Sequence, residues 1–219
     1  MLQRLVKKIN NQLKVIDLEG IIGVGIVCRR IYNKFRSKVL FGRGVYIDFT
    51  TVVRGRKHIT FNGRLLVGKY CRIEAISENN GVKYNPNLVF GKNVRMNDFV
   101  HIGCTNFVSL GDDCLLASKI YITDHNHGIY IGTNQSNAME PVVHRVVNND
   151  RSVIIGKNVW IGENVTVLPG VIIGNNSIIG ANAVVTKTIP ENSIAVGNPA
   201  QVVKQFNLDT KIWDSCNDL

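Results

Sequence analysis

The sequence predicts an all-β fold, a parallel β-helix in which short strands wind around one narrow core. The main observation is a six-residue period, because residues 155–190 form six ungapped blocks, IGKNVW, IGENVT, VLPGVI, IGNNSI, IGANAV and VTKTIP. Each block opens with an aliphatic residue, and a small or apolar residue recurs four positions later. No helix has this period, whereas a solenoid with three faces per coil does, with Gly or Asn in the turns. Eighteen residues therefore close one coil, and stacked coils pair as parallel strands about 4.8 Å apart.

Length and composition favour one main domain. The chain has 219 residues, of which 45% are hydrophobic, enough for one core and without the bias of disordered or collagen-like sequences. Its five cysteines include no CxxC pair, and an odd, scattered set suits a reducing compartment better than a disulfide framework. We expect three of these cysteines simply to fill solenoid positions.

Residues 1–38 form a basic amphipathic segment with helical spacing of its apolar side chains. They contribute +7 of the chain's formal net charge of +10. The apolar run GIIGVGIVC is too short to span a bilayer, which needs about 20 residues, and no small-residue cleavage site follows it. One interpretation is a helical cap on the open end of the solenoid, and the other is a peripheral contact with an anionic membrane. Nucleic acid is not expected as a partner, because no aromatic platform accompanies the basic residues.

The six-residue register extends, with irregularities, over residues 39–204. Turn-forming residues interrupt it at 77–87, and it slips by two positions at Asn106 and Phe107. It then stops over about residues 128–153, where we expect a long protruding loop that serves as an active-site arm, since long loops in compact domains are usually functional. Residues 205–219 are expected to form a short C-terminal tail, of which residues 207–219 are a short helix or a loose segment.

Two of the five histidines, His125 and His127, lie in the sequence TDHNHG, where the last regular block gives way to the long loop. A histidine at such a junction is suited to removing a proton near neutral pH. A metal site is the alternative, but a third ligand would have to come from His101 or His144, so we expect no metal.

The blocks quoted above, with the run VWIGENVTVLPGVIIGNNSIIGANAVVTKTIPENSIAVGNPAQVVK, resemble the hexapeptide-repeat acyltransferases over residues 39–204. The resemblance implies a left-handed helix, whereas the general preference for right-handed crossovers predicts the opposite hand. It also implies an acyl-coenzyme A donor, most often acetyl-CoA, and a homotrimer with its sites in the clefts between subunits.

The resemblance also implies roles for individual residues. Counting from the block LGDDCL aligns the family's general base with His127, while Asp124 and His125 orient it or fix its tautomer; His125 stays open as the base. Asn97 matches an asparagine that holds the acceptor hydroxyl, and Trp160 packs on substrate or donor. The positions that line the donor fall on Gly162, Glu163, Gly180, Ala181, Thr186, Lys187, Gln201 and Lys204. An acidic residue of the family, expected near Thr105, is absent, which leaves the acceptor's identity open.

We therefore predict a cytoplasmic O-acetyltransferase that modifies a sugar hydroxyl of a bacterial surface polysaccharide or its precursor, at the inner face of the membrane if residues 1–38 bind there. The alternatives are an acetyltransferase for an amino sugar, serine or an antibiotic, and a metal-binding solenoid resembling γ-class carbonic anhydrases.

Overall fold

A computed structural model describes residues 21–216. Its one α-helix within this range is α1 (Ile21–Phe41). The strands in chain order are β1 (Val45–Ile47), β2 (Val52–Arg54), β3 (Ile59–Phe61), β4 (Leu65–Val67), β5 (Arg72–Ala75), β6 (Glu78–Asn79), β7 (Val82–Lys83), β8 (Asn87–Phe90), β9 (Val94–Met96), β10 (His101–Cys104), β11 (Phe107–Leu110), β12 (Leu115–Leu116), β13 (Tyr121–Thr123), β14 (Asn126–His127), β15 (Val147–Asn148), β16 (Val153–Ile155), β17 (Trp160–Ile161), β18 (Thr166–Val167), β19 (Ile172–Ile173), β20 (Ile178–Ile179), β21 (Val184–Val185), β22 (Ser193–Val196), β23 (Gln201–Phe206) and β24 (Trp213–Ser215). Short 3-10 helices lie at Arg56–His58 and Val142–His144.

The strands form the three long sheets of a prism. Sheet A runs β1, β4, β9, β12, β17, β20, β22, β23 and β24, sheet B runs β2, β5, β10, β13, β18 and β21, and sheet C runs β3, β8, β11, β16 and β19. Pairing is parallel except along β22, β23 and β24. Each of the first five coils contributes one strand to each sheet, and the sixth meets sheet C only through the bridge between Ile173 and Ile189. Residues 45–189 therefore build six coils of the described chain, numbered here from the N-terminal end.

The sequence register is confirmed in the last coils. Ile161 pairs with Ile179 and Ile154 with Ile172, each eighteen residues apart. The residues that open the six blocks and those four positions later are all buried, with at most 3% of any of them exposed. Apart from Ser177, they form apolar columns along the prism axis, which is where the core lies. The expectation for the cysteines is also confirmed, because Cys71, Cys104 and Cys114 are buried within this core.

The Asn and Gly residues of the repeat lie at the corners of the prism rather than in its core. Asn158, Asn176 and Asn192 stack at the corner between sheets C and A with φ between 55° and 58°, and their side-chain amides form a hydrogen-bonded ladder. The glycines of the repeat serve another purpose. A Cβ on Gly162 would lie 2.7 Å from the backbone nitrogen of Ala181 in the next coil, so glycine here permits close stacking of coils.

Two excursions leave the same corner of the prism, between sheets B and C. In coil 2 the chain forms a hairpin of β6 and β7, and in coil 4 it forms a long arm that contains β14 and β15. In coil 3, between them, Thr105 and Asn106 alone join β10 to β11. The side-chain amide of Asn80 on the hairpin donates to the carbonyl of Val143 on the arm at 2.7 Å. The expected interruptions at 77–87 and 128–153 are therefore joined to each other over coil 3.

Helix α1 packs against coil 1 through polar side chains. Arg29 donates to Asp48 at 2.7 Å, Asn33 donates to the same carboxylate at 2.9 Å, and Ser37 bonds both backbone groups of Ile47. The helix ends at Phe41, where Gly42 has φ of 100°, so it runs past the expected boundary at residue 38. Residues 1–20, part of the expected helical segment, lie outside the described residues.

The expected helical or loose tail is wrong for residues Trp213–Ser215, which form a strand, whereas residues 207–212 form a turn. Strand β24 pairs antiparallel with β23 and extends sheet A. The reason is aromatic packing, since the ring of Trp213 lies edge-on to Phe206 with centroids 5.2 Å apart. A single turn over residues 207–212 suffices to bring the two rings together.

Candidate active site

The two histidines of TDHNHG lie in a cleft of about 470 Å³ between the coil 2 hairpin and the coil 4 arm. The tight corner at Thr105 forms its floor. This cleft, called the histidine cleft below, is lined by Arg54, Gly55, Arg72, Glu74, Ala75, Ile76, Ser77, Glu78, Asn79, Thr105, His125, His127 and Val147. Its position and size suit a small-molecule site.

Asp124 is fully buried beneath the cleft. Its carboxylate accepts hydrogen bonds from the backbone N–H groups of Thr105 and Asn106 and from the hydroxyl of Thr105. It also bonds Nδ1 of His125 at 2.9 Å. Burial by itself would raise the pKa of Asp124, but these hydrogen bonds, that of His125 foremost, outweigh it and hold the pKa below its ordinary value. The carboxylate is therefore ionised near neutral pH.

The imidazole of His125 lies above Gly103 of β10, and its Cε1 is 3.1 Å from where a Cβ on that glycine would be. Nδ1 contacts Asp124 and, at 3.2 Å, the hydroxyl of Thr123. About 10% of the side chain is exposed. The ring is thus held on one edge and against one face, and it opens to the cleft in which acceptor chemistry is expected.

His127 is placed differently. It lies on the short strand β14, paired in register with Val147 across the arm, and it is exposed. Its ring is 6.4 Å from that of His125, measured between centroids, and it contacts no carboxylate within residues 21–216. Asp124 therefore contacts His125 rather than His127, the residue that the alignment favours as the base.

The arm carries a bracing residue that sequence reasoning missed. Arg145 is mostly buried, and its guanidinium donates to the carbonyls of Ala138 and Glu140 and to the hydroxyl of Tyr130. Tyr130 in turn donates a hydrogen bond to the carbonyl of His127. No sequence pattern marks Arg145, because all of its partners are backbone carbonyls or an isolated tyrosine of the same loop.

A second group that sequence reasoning missed is a buried carboxylate on the cleft wall. Glu74 on β5 contacts Arg72 at 2.7 Å, Arg54 at 3.1 Å and Nε2 of His101 at 3.0 Å. Burial, then Arg72, lower the pKa of His101, so this imidazole is neutral at physiological pH. The signal was present as Arg-Ile-Glu in β5, where residues two apart on a strand point to the same face.

Trp160 does not meet the histidines within one chain. It lies on the outer face of sheet A, half exposed, at a separate cleft of about 410 Å³ that also contains Ile178, Phe206 and Trp213. Among the described residues, the two clefts have no lining residue in common. Asn97 is exposed at the corner between sheets A and B in coil 3, and so also lies away from the histidine cleft.

The residues expected to line the donor fall into three groups. Gly162, Glu163, Gly180 and Ala181 lie at the corner between sheets A and B in coils 5 and 6. Thr186 and Lys187 follow β21 at the corner between sheets B and C, whereas Gln201 and Lys204 lie on β23 within sheet A. The space that a Cβ on Gly162 or Gly180 would need is occupied by other atoms of this chain, the backbone of Ala181 and the side chain of Val196 respectively. Coil stacking therefore accounts for both glycines without a ligand.

Over residues 21–216, no group of three or more His, Cys, Asp or Glu side chains is arranged to hold a metal ion. The part of the chain that the structure describes also contains no helix with the length and apolar character needed to cross a bilayer.

Comparison with known proteins identifies relatives over most of the chain. Residues 152–187 match the family described as bacterial transferase hexapeptide (six repeats). The chain is 37% identical over 203 residues to the Escherichia coli (strain K12) protein named "Putative lipopolysaccharide biosynthesis O-acetyl transferase WbbJ", covering 92% of this chain and 98% of that protein. It is 35% identical over 128 residues to galactoside O-acetyltransferase of the same organism, covering 57% of each.

A solved structure shares the fold. A variant of AntD, an N-acyltransferase from Bacillus cereus, in complex with dTDP-4-amino-4,6-dideoxyglucose and coenzyme A, superposes with a TM-score of 0.60 at 18% identity. The match covers 74% of this chain and 81% of that one. The expected left-handed parallel β-helix is confirmed. With 37% identity across nearly the full length of WbbJ, the chain belongs to the hexapeptide-repeat acyltransferases and is an acetyltransferase of that family.

Proposed function

We propose that the protein transfers an acetyl group from acetyl-CoA to a sugar hydroxyl of a bacterial surface polysaccharide or its precursor. The observation that carries the proposal is the Asp124–His125 pair, a buried carboxylate bonded to an imidazole that opens into the histidine cleft. The names of WbbJ and galactoside O-acetyltransferase support O-acetylation of a saccharide, and the AntD complex supports coenzyme A as the carrier.

The proposed general base is His125. Because Asp124 occupies Nδ1, that nitrogen carries the ring hydrogen, and Nε2 is left with a lone pair on the cleft side. A carboxylate in this place also stabilises the imidazolium that forms once the base has taken a proton. His127 lacks such a partner within the described residues, so we assign it to the cleft wall, where it contacts the acceptor.

The reaction is a direct transfer. Nε2 of His125 takes the proton as the acceptor oxygen attacks the thioester carbonyl, and backbone N–H groups at a coil corner stabilise the tetrahedral oxyanion. Collapse of the intermediate breaks the carbon–sulfur bond. The coenzyme A thiolate then leaves with the proton from the imidazolium, which returns the base to its neutral form.

The test compares His125→Ala with His127→Ala. We expect His125→Ala to lose about 10²- to 10⁴-fold in kcat with nearly unchanged thermal unfolding, and His127→Ala to act mainly on KM. Turnover of acetyl-CoA is followed with DTNB against surface glycans, with free amino sugars as the competing acceptor class. A larger kcat loss in His127→Ala would return the base to that residue.

We propose further that the active unit is a homotrimer whose sites lie between subunits. The support is that one chain keeps His125 and Trp160 in separate clefts and divides the donor-lining positions among three places. The test mixes two inactive variants, His125→Ala and Trp160→Ala, by co-expression. Partial recovery of activity is expected if neighbouring subunits supply the two side chains, whereas an active monomer in sedimentation contradicts the proposal.

The finer proposal for location is a peripheral contact with the inner face of the membrane through residues 1–38. The polar residues that dock α1, Arg29, Asn33 and Ser37, are four apart. The positions two further along lie about 200° around the helix, opposite the docking face. They are Ile31, Phe35 and Val39, of which 58%, 70% and 66% are exposed. A cap alone therefore leaves these apolar side chains in solvent.

Charge favours an anionic lipid surface as the occupant of this face. Helix α1 contains five Lys and Arg residues and no Asp or Glu, and Arg30, Lys34 and Lys38 flank the apolar stripe on one side. Apolar insertion flanked by basic side chains is typical of helices that lie in the membrane interface, where each basic residue contributes about 1 kcal/mol.

Co-sedimentation with vesicles tests this contact. The full chain is expected to bind anionic vesicles at low salt, and binding should fall at high salt because the charges are screened. A variant with Ile31, Phe35 and Val39 changed to Ser should lose binding, while Val52→Ser, on the exposed face of sheet B, serves as the matched control. Equal binding by both variants would show that the apolar stripe does not contact the membrane.

A further inference from the structure

We infer that Arg54 and Arg72 form an oxyanion subsite in the histidine cleft, so that the acceptor sugar carries a phosphate or a carboxylate beside the hydroxyl that is acetylated. The inference rests on the proposed function, which it deepens by naming the class of acceptor. It starts from the buried carboxylate of Glu74, of which 4% is exposed.

The cluster has one more positive charge than Glu74 can balance. Both guanidiniums contact this carboxylate, Arg72 at 2.7 Å and Arg54 at 3.1 Å, and the lowered pKa of His101 keeps the third partner neutral. Two cations against one anion leave a net charge of one. The other carboxylate on the cleft lining, Glu78, is exposed at the rim and stands opposite Lys83 in the hairpin register.

The two arginines have donors to spare. About 71% of the Arg54 side chain and 54% of the Arg72 side chain are exposed, and each uses a single nitrogen on Glu74. Neither guanidinium has another hydrogen-bond acceptor among residues 21–216. A guanidinium presents five N–H groups in a planar fork that fits phosphate and carboxylate oxygens. Because both side chains line the cleft, their unused N–H groups can bind one anion there.

Structural bracing alone accounts poorly for this arrangement. A buried ion pair contributes little stability relative to apolar side chains of the same size, since the cost of desolvation offsets the attraction. Here the carboxylate is buried while both arginines reach outward into the same cleft. Glu74 therefore serves to hold two like-charged side chains side by side.

The distance between the two arginines and His125 suits a single substrate that contacts both. Arg54, Glu74 and Gly103 occupy adjacent register positions across β2, β5 and β10, and His125 covers Gly103. Adjacent strands are about 4.8 Å apart, so the arginines lie about 5 to 10 Å along sheet B from the backbone beneath the imidazole. A single sugar ring with one charged substituent spans this interval.

The first experiment measures binding without catalysis. Inorganic pyrophosphate is titrated calorimetrically into full-length protein saturated with coenzyme A, so that donor-site phosphates do not compete. We expect the double variant Arg54→Gln/Arg72→Gln to weaken binding by about 10- to 100-fold. The control is Arg64→Gln, an exposed arginine at the corner between sheets C and A. Equal affinity in wild type and double variant overturns the subsite.

The second experiment compares matched acceptors: a methyl hexoside, the hexose 1-phosphate, the nucleotide diphosphate hexose and the methyl hexuronide. A preference of about 10-fold or more in kcat/KM for an anionic acceptor, lost through KM in the double variant, supports the inference. The phosphate and carboxylate arms identify the source of the anion. Equal use of neutral and anionic sugars overturns it. Acetylation of none of them, with pyrophosphate binding still lost in the double variant, supports the subsite and counts against the proposed function instead.

Discussion

The backbone N–H of Thr105 donates to both carboxylate oxygens of Asp124, at 2.9 Å and 3.0 Å, across the boundary between coils 3 and 4. The N–H of Asn106 adds a bond at 2.8 Å. The carboxylate that orients His125 is therefore also the tie that closes the tightest corner of the solenoid. Under the proposed mechanism, catalysis and local stability therefore depend on the same side chain.

We predict that Asp124→Asn is destabilising by about 1–3 kcal/mol for each N–H that is left without an acceptor. Because hydrogen bonds hold the folded pKa of Asp124 below the ordinary 3.8, its stabilisation is complete above the unfolded pKa and is lost as pH falls through the folded pKa. Thermal unfolding of both proteins from neutral pH into acid should show the gap in Tm closing. A gap that is independent of pH contradicts the assignment.

A methyl group added at Gly103 should displace the imidazole of His125, the proposed base. In Gly103→Ala the new Cβ lies 3.1 Å from Cε1 of His125 and 3.8 Å from Nε2, so the ring must move by a few tenths of an ångström. We expect kcat to fall by about 10-fold with little change in Tm, since catalysis is sensitive to small displacements. Gly25→Ala, with no atom within 4 Å of the new Cβ, is the control. Unchanged kcat would show that His125 is not the reacting group.

The conformation of the coil 4 arm should depend on the planar guanidinium of Arg145. Lysine keeps the charge but cannot bond Tyr130 and the carbonyls of Ala138 and Glu140 together. We expect Arg145→Lys to raise the acceptor KM and to speed proteolytic cleavage within the arm, while the solenoid unfolds at its normal temperature. Arg151→Lys, whose contact with Asp150 is 3.9 Å, should leave cleavage unchanged. Equal cleavage of both variants would show that Arg145 does not hold the arm.

The buried cysteines should be inert to DTNB in the folded protein. Burial raises the pKa of Cys114 to about 11 and raises the pKa of Cys71 and of Cys104 above the ordinary 9.0, and the thiolate is the reactive form. Cys28 is exposed on α1 and should react at once. Cys216 is free and half-buried, so the test uses a chain that carries Cys216→Ser. A titration before and after denaturant then separates the two classes, and Cys28→Ser should remove the fast phase. Rapid reaction of Cys114 in folded protein would contradict its burial.

The solenoid could be predicted because its determinants are local. One aliphatic residue per block and a second four positions later decide which side chains enter the core, and Ile161, Val167 and Ile173 are buried as the period requires. The coil 2 hairpin and the coil 4 arm were also visible, as losses of that period. Predicting these features does not require knowing which coils become neighbours on either side of an interruption.

The site was less predictable because its contacts join distant segments. Asp124 pairs with His125 rather than His127 because its carboxylate turns toward Thr105 one coil below, nineteen positions away. Glu74 meets His101 twenty-seven positions on, a separation that includes the coil 2 hairpin. Distances of this kind depend on the lengths of the excursions, and the six-residue period carries no information about them.

The bond between Asn80 and Val143 joins two excursions of the solenoid, so the width of the histidine cleft is set by the number of coils between them. The hairpin and the arm stand two coils apart with coil 3 between them, so the gap they enclose equals about two strand spacings, near 9.6 Å. Inserting or deleting one coil beside coil 3 would widen or narrow this gap by a full spacing and break the bond. We therefore expect a change in coil number to alter the cleft in steps, whereas substitutions on its two walls alter it only finely.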